Sequence, residues 1–267
     1  MRRLSLALAV LLLPAPSSAS AAQDVFHSTQ SATLPTAVVM PQGSWLFEIS
    51  HRFDSPVSNG ASDLWGLDGP AYNRLGLSYS VADRLALGVL RTNVQDNVEL
   101  NAKVRAWSGG SGVLLVETAV MGGVAWNTQV FEFDGAEDNE MQLYGQLILN
   151  ALIGDRIAVG VVPTYLRNPR LADFEEDNAL ALGLHGQLYV SDGMSLLIEW
   201  LVSEQRPDQE NDPATFGVEL ETRGHFFKLV LTNQARFNPT QFLGGTQTKF
   251  EPDEWRFGFN IQRLLPF

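Results

Sequence analysis

From Ser44 onward, apolar residues fall at every second position, in segments of about ten separated by clusters of Gly, Asp, Asn and Pro. A period of two is the mark of a β-strand, whose successive side chains point to opposite faces. In Val98–Trp107, Val98, Leu100, Ala102, Val104 and Ala106 alternate with Glu99, Asn101, Lys103, Arg105 and Trp107, so one face is apolar and the other charged. Trp45, Phe47, Ile49 and Phe53 likewise oppose Glu48, Ser50 and Arg52, and Leu143, Leu147 and Leu149 oppose Gln142, Gln146 and Asn150.

Twelve such segments are predicted, near 44–53, 72–80, 85–92, 97–107, 113–133, 140–152, 156–166, 179–190, 194–205, 214–222, 225–233 and 254–267. A soluble sandwich also alternates, and the connections separate the two folds. Tight ones at 81–84, 108–112, 153–155, 191–193 and 223–224 interleave with longer ones at 54–71, 93–96, 134–139, 167–178, 206–213 and 234–253. Short turns on one rim and long loops on the other are the layout of an outer-membrane barrel, with tight periplasmic turns and extended external loops. The expected fold is an all-β, closed antiparallel up-and-down transmembrane barrel of about twelve strands. Gly122-Gly123 is read as a bulge or kink in one long fifth strand; fourteen strands is the alternative count.

The last segment sharpens that reading. Trp255, Phe257, Phe259, Ile261, Leu265 and the terminal Phe267 share one face, with Arg256, Gly258, Asn260 and Gln262 on the other. A terminal aromatic closing an alternating strand resembles the signal read by the barrel-assembly machinery. Phe257, Phe259, Ile261, Leu265 and Phe267 are therefore the expected assembly signal, and that machinery an expected partner. Tyr79, Trp107, Tyr189 and Phe267 at one rim, and Phe53, Tyr72, Phe133 and Tyr165 at the other, are placed in aromatic girdles.

At the other end, Arg2 and Arg3, the apolar run Leu4–Leu13 and the small residues before Ala22 read as a signal peptide over 1–22. This run of ten residues, nine of them apolar, falls short of the roughly 20 that a spanning helix needs. No later run is long enough either, because Gly, Asp, Arg, Asn or Gln interrupts each candidate stretch. Three parts are thus expected: the signal peptide, residues 23–43 as a periplasmic extension or a plug tucked into the lumen, and the barrel over 44–267. Bilayer physics binds these features together, since in hydrocarbon every backbone polar group needs an internal partner and only helices or closed barrels supply one.

The chain has no cysteine, which excludes disulfides and thiolate metal sites. Its formal charge is −12, and losing Arg2 and Arg3 with the signal peptide takes it to −14. Nucleic acid is therefore not an expected partner. Outer-membrane lipids are, and small solutes are possible ones.

Inward parity assigns Glu48, Arg52, Arg74, Glu99, Lys103, Arg105, Glu199, Glu219, Glu221 and Arg256 to a polar lumen of mixed sign. They line either a narrow pore or a salt-bridged interior without one; twelve strands lie between the filled barrels of eight and the channels of 16 to 18. His185 and His225 lack partners at metal-ligand spacing, so no metal or other cofactor is expected. His51 is read as an interfacial residue on the aromatic face. A lipid-modifying enzyme would need a nucleophile beside a histidine. The adjacent pairs are His27 with Ser28, which lie before the barrel, and Ser50 with His51, which as strand neighbours point apart, so no catalytic residue is expected. Glu175-Glu176-Asp177 and Asn238–Phe242 are read as surface loops, although the second could fold inward to constrict a pore.

The stretches MPQGSWLFEISHRF (Met40–Phe53), LGLSYSVADRLALG (Leu75–Gly88) and FFKLVLTNQARFNPTQF (Phe226–Phe242) resemble an uncharacterised family of bacterial membrane-bound β-barrel proteins. The resemblance covers nearly all of the mature chain. It implies the barrel and the outer membrane, and carries no catalytic or ligand residues with it. The expected function is a narrow porin-like channel for small solutes, with a pore-less structural or binding barrel acting through its external loops as the alternative.

Overall fold

Alternation resolves into twelve antiparallel strands: β1 (Trp45–Phe53), β2 (Ala71–Ala82), β3 (Leu85–Thr92), β4 (Asn97–Ser111), β5 (Leu114–Asn127), β6 (Met141–Ile153), β7 (Ile157–Arg167), β8 (Asn178–Ser191), β9 (Met194–Ser203), β10 (Ala214–Thr222), β11 (His225–Thr232) and β12 (Arg256–Leu265). The structure, a computed structural model, describes residues 24–111, 113–128, 141–168, 178–204 and 210–265. The expected signal peptide, Phe133, the acidic run Glu175–Asp177 and the terminal Phe267 lie outside these. Each strand pairs with its neighbour in sequence, and β1 pairs with β12, from Trp45 opposite Leu265 to Arg52 opposite Gly258, closing the barrel.

Closure leaves no strand edge unpaired, and the side chains sort accordingly. Along β6, Leu143, Leu147 and Leu149 stay exposed while Gln142, Tyr144, Gln146 and Asn150 between them are buried. The same outward rows hold Leu182 and Leu184 on β8, and Leu196, Ile198 and Trp200 on β9. Soluble monomers rarely expose apolar surface on this scale; a lipid-facing band requires it. Phe257, Phe259, Ile261 and Leu265 lie partly exposed along β12. Among them Arg263 reaches sideways and donates to His225 Nδ1 at 2.6 Å.

Turn chemistry follows the rims. Thr222 pairs with His225 around Arg223-Gly224, both at positive φ, as a two-residue type I′ hairpin demands. Register shifts occur at Ser80/Ala82, Arg105/Trp107 and Tyr189/Ser191, all beside the short turns, where bulges help a closing sheet to bend.

Gly122-Gly123 carries no bulge, contrary to expectation. Ala102 pairs with Gly122 and Asn101 with Gly123 in unbroken register, and β5 runs straight through. Gly123 faces inward and makes room: a Cβ there would lie 2.5 Å from the Tyr144 ring, whose hydroxyl reaches across to Glu99. The bulge belongs instead to Arg105/Trp107, and it turns Trp107 out of its inward parity to the exposed outer face.

Two of the expected girdle residues also face inward. Tyr72 lines a cavity under the long-loop rim, and Tyr189 stacks on His27 at 4.5 Å. Trp45 and Tyr79 do meet on the outside, with ring centroids 4.7 Å apart. Asn238–Phe242 is not a surface loop. The connection after β11 dips into the barrel, where Phe237, Asn238, the single helical turn α1 (Pro239–Phe242) and Leu243 are buried.

Candidate functional site in the barrel lumen

The inner faces of the strands surround a second segment of the same chain. Val25, Phe26 and Ser28, and then every residue from Leu34 to Met40, are buried. The segment enters at the short-turn rim, where Arg105 Nη1 donates to Asp24 Oδ1 at 2.9 Å and Glu117 accepts the Val25 amide at 3.2 Å. It climbs the lumen, turns at Ser31–Leu34, and returns beside itself. Ser31 N–H donates to Leu34 C=O at 2.9 Å and Thr36 N–H to Thr29 C=O at 3.1 Å. It leaves at the same rim, where Gly43, at φ +82°, hands the chain to β1. The N-terminal segment is therefore a hairpin standing in the lumen, touched by β2 and by every strand from β4 to β12.

Opposite charges hold the two sides of its tip. Glu199 on β9 accepts the amides of Ala32, Thr33 and Leu34 at 2.7, 2.9 and 2.9 Å, and the Thr33 hydroxyl at 2.6 Å. Lys228 on β11, wholly buried, donates to Ser28 Oγ at 2.8 Å, to Ser31 C=O at 2.7 Å and to Gln30 C=O. It also pairs with Glu219 at 3.0 Å. Asn260 on β12 donates to Ala32 C=O at 2.5 Å, and Lys103 on β4 to Thr29 and Thr36 C=O at 3.1 and 3.0 Å. A buried charge needs partners of this quality, because desolvation otherwise outweighs its attraction to them.

Nearer the long loops, Arg74 joins all three parts of the structure. It pairs with Glu48, and it donates to the Phe237 carbonyl and to Gln30 Oε1, each at 2.9 Å. Arg52 stacks over the Phe237 ring, 4.8 Å from its centroid, and donates to Asn260 Oδ1 at 2.8 Å. Leu34 meets Phe242 and Leu243 in an apolar cluster with Leu166, Ala179, Ala181 and Leu201. Hairpin tip and inward loop thus meet in mid-lumen. Two cavities flank the filled section: one of about 130 Å³ at the long-loop rim, lined in part by Asp54, Tyr72, Arg236 and Arg256, and one of about 220 Å³ at the short-turn rim beside His27 and Tyr189.

Of the residues singled out by parity, Glu48, Arg52, Arg74, Glu99, Lys103, Glu199 and Glu219 are buried inside. Arg105 and Glu221 stand at the short-turn rim against Asp24 and His27, and Arg256 at the opposite rim donates to the Asp54 carbonyl at 2.7 Å. Asn150 and Asn260 lie inside, on the polar face that parity gives them, whereas Lys228 and Glu117 escape the parity reading. Lys228 was legible, since Phe227 and Leu229 flank it outward, but Leu229-Val230-Leu231 blurs the alternation. Glu117 was hidden by the doubtful parity of β5.

Ser50 and His51 do point apart. The Ser50 hydroxyl donates to Glu48 at 2.5 Å inside, while His51 stacks outside between Phe53 and Phe259. Ser28 turns to Lys228 and Glu219, and His27 to Glu221.

The His27–Glu221 contact, 2.6 Å between Nδ1 and Oε2, makes hairpin docking sensitive to pH. The Glu221 hydrogen bond raises the His27 pKa above its ordinary 6.5, against the opposing effect of burial, and Glu219 and Asp24 add to the rise. A raised pKa in the docked state means that the stabilisation is complete below 6.5 and disappears as pH climbs through the docked value. Amide exchange of Val25 and Ser28 should accelerate over that rise beyond the intrinsic base-catalysed increase, and His27→Gln should abolish the excess. An excess that survives in His27→Gln would assign the effect to another group.

A family model described as a membrane-bound beta barrel domain, of unknown function, matches residues 26–265, hairpin included. Among solved structures, an outer membrane channel from Pseudomonas putida F1 aligns with 86% of this chain and 98% of its own at 15% identity, with a TM-score of 0.53. The KdgM porin in complex with disordered oligogalacturonate aligns over 82% and 98% at 8% identity and TM-score 0.49. The NanC porin does so over 84% and 99% at 9% and 0.48. At these identities the likeness is one of fold. No curated protein matches the chain.

Proposed function

The chain belongs to the family of membrane-bound beta barrel domains, and from that membership we propose that this outer-membrane, porin-like barrel is a narrow channel for small solutes, closed by its own N-terminal hairpin. The observation that carries the reading is the chemistry of the contact between wall and hairpin. Membrane barrels are polar inside whether open or filled, so what matters is how the wall grips the segment that fills this one. Here the wall offers Glu48, Arg52, Arg74, Lys103, Glu199, Glu219 and Lys228, and it holds the hairpin's tip by hydrogen bonds, while Val25, Phe26, Ala37 and Val38 pack in small apolar clusters nearer the short-turn rim. Water can replace the polar partners when the segment leaves. Among the described residues, the hairpin's covalent link to the barrel wall is through Gly43 and Ser44 to β1. The inward loop rests Phe242 and Leu243 on Leu34, so it loses its apolar seat when the hairpin withdraws.

In planar bilayers the whole protein should stay closed for most of the record, with brief openings, and a variant lacking residues 24–40 should conduct steadily. Heat-modifiable mobility in detergent gels verifies that the variant is folded. The filled lumen favours a second reading, a pore-less barrel that binds a partner through its external loops. A folded variant that remains silent would establish that reading and overturn the channel.

A further inference from the structure

The tip of the hairpin is held chiefly by its backbone. At the tip, the amides of Ala32, Thr33 and Leu34 converge on one carboxylate, Glu199, and the carbonyls of Gln30 and Ser31 on one ammonium, Lys228. Asn260 takes the Ala32 carbonyl, Lys103 takes the carbonyls of Thr29 and Thr36, and Asn150 accepts the Ala37 amide at 2.6 Å. A turn presents successive N–H groups on one side and C=O groups on the other, and this wall places an anion against the first and a cation against the second.

Side chains contribute as well, Thr33 through its hydroxyl to Glu199, Gln30 to Arg74 and Ala37 against Ala119 and Ile148, and two positions restrict the residue type. Ala32 is enclosed against Leu197 and Val230, which admits only a small residue. Leu34 enters a recess floored by Gly183, where a Cβ would come within 2.6 Å of Leu34 Cδ2, with Ala179 and Ala181 beside it. The Ser31 hydroxyl, by contrast, is buried without a hydrogen-bond partner and adds nothing to recognition.

We propose that the wall around Glu199, Lys228, Asn260 and Lys103 is a binding site for a peptide turn, read through its main chain, with a small residue two positions before an aliphatic one, and that the chain's own residues 29–37 are its resident occupant. The ligand class is a short uncharged peptide that enters from the short-turn rim and displaces the hairpin. This rests on the channel reading insofar as the site lies on the conduction path.

The experiment returns the occupant in trans. A fluorescently labelled synthetic peptide spanning residues 26–40 is titrated into the folded variant lacking 24–40 in detergent, and binding is read by anisotropy. Saturable one-to-one binding is expected. Ser31→Ala in the peptide should change affinity less than about threefold, while N-methylation of the amides of Ala32, Thr33 and Leu34 should weaken it by about tenfold or more, the loss expected of charge-assisted hydrogen bonds. Glu199→Gln in the barrel should weaken the unmodified peptide to a similar degree. If the deletion does not fold, the full chain carrying Leu34→Asp takes its place, because an ionised carboxylate cannot seat in the apolar recess. Absence of binding, or an N-methylated peptide that binds like its parent, would overturn the site. Conductance is recorded separately on the same preparation. A conducting variant that ignores the peptide leaves the channel standing and removes the site, and a silent variant that binds the peptide does the reverse.

Discussion

Lys228→Met is expected to destabilise the folded protein by about 3–5 kcal/mol, the cost of removing one partner from a buried ion pair and leaving the other charge uncompensated. Methionine nearly matches the lysine stem in volume, so no cavity accounts for the loss. Glu219 loses a cation 3.0 Å away, and Ser28 Oγ and the carbonyls of Gln30 and Ser31 lose their donor in a place that water does not reach. The check is the midpoint of urea unfolding in lipid vesicles, followed by tryptophan fluorescence. Adding Glu219→Gln removes the stranded charge, and the double variant should recover part of the loss, because residues in contact are not additive. The single variant should also open more often in bilayers, since one side of the hairpin tip is released. An unmoved midpoint would mean that Lys228 is hydrated, contrary to its burial.

Leu184→Arg is expected to cost about 2–4 kcal/mol, the range for arginine at the bilayer midplane of a β-barrel, while Val190→Arg on the same strand should cost about 0–1 kcal/mol near the interface. Both side chains point outward and are exposed, Leu184 by 39% and Val190 by 54%. Leu184 lies in the middle of β8, opposite Val161 and Trp200, and Val190 at its short-turn end. In water, exposed positions such as these would tolerate arginine to within about 0.5 kcal/mol. The difference between the two costs therefore measures depth in hydrocarbon rather than packing. Unfolding titrations in vesicles report it, and equal costs at the two positions would contradict the lipid-facing assignment.

Alternation made most of the wall legible. Val98, Leu100, Leu143, Leu147 and Leu184 face out, and Glu48, Arg74, Glu99 and Lys103 face in, because a strand's two faces follow from residue parity alone. Legibility failed where parity was interrupted or irrelevant. The bulge at Arg105/Trp107 reverses the side taken by Trp107, and nothing in the local run announces it. Gly122-Gly123 looked like the irregularity, yet the inward-facing glycine of the pair, Gly123, answers to Tyr144 on the neighbouring strand. Tyr72 and Tyr189 sit at strand ends, where a girdle and a lumen rim share the same sequence position.

The amino-acid order on its own pointed to about twelve strands, to the inner and outer face of most of their residues, and to the closure into a barrel that lipid demands, since each depends on period and connection length within a few dozen residues. Tertiary structure alone decided that the lumen is filled. Residues 24–40 could have been a solvated tail on the same evidence, because a turn gripped through its amides and carbonyls leaves little signature in its side chains, and its partners on β4, β6, β9, β11 and β12 lie some 70 to 230 positions away in the chain.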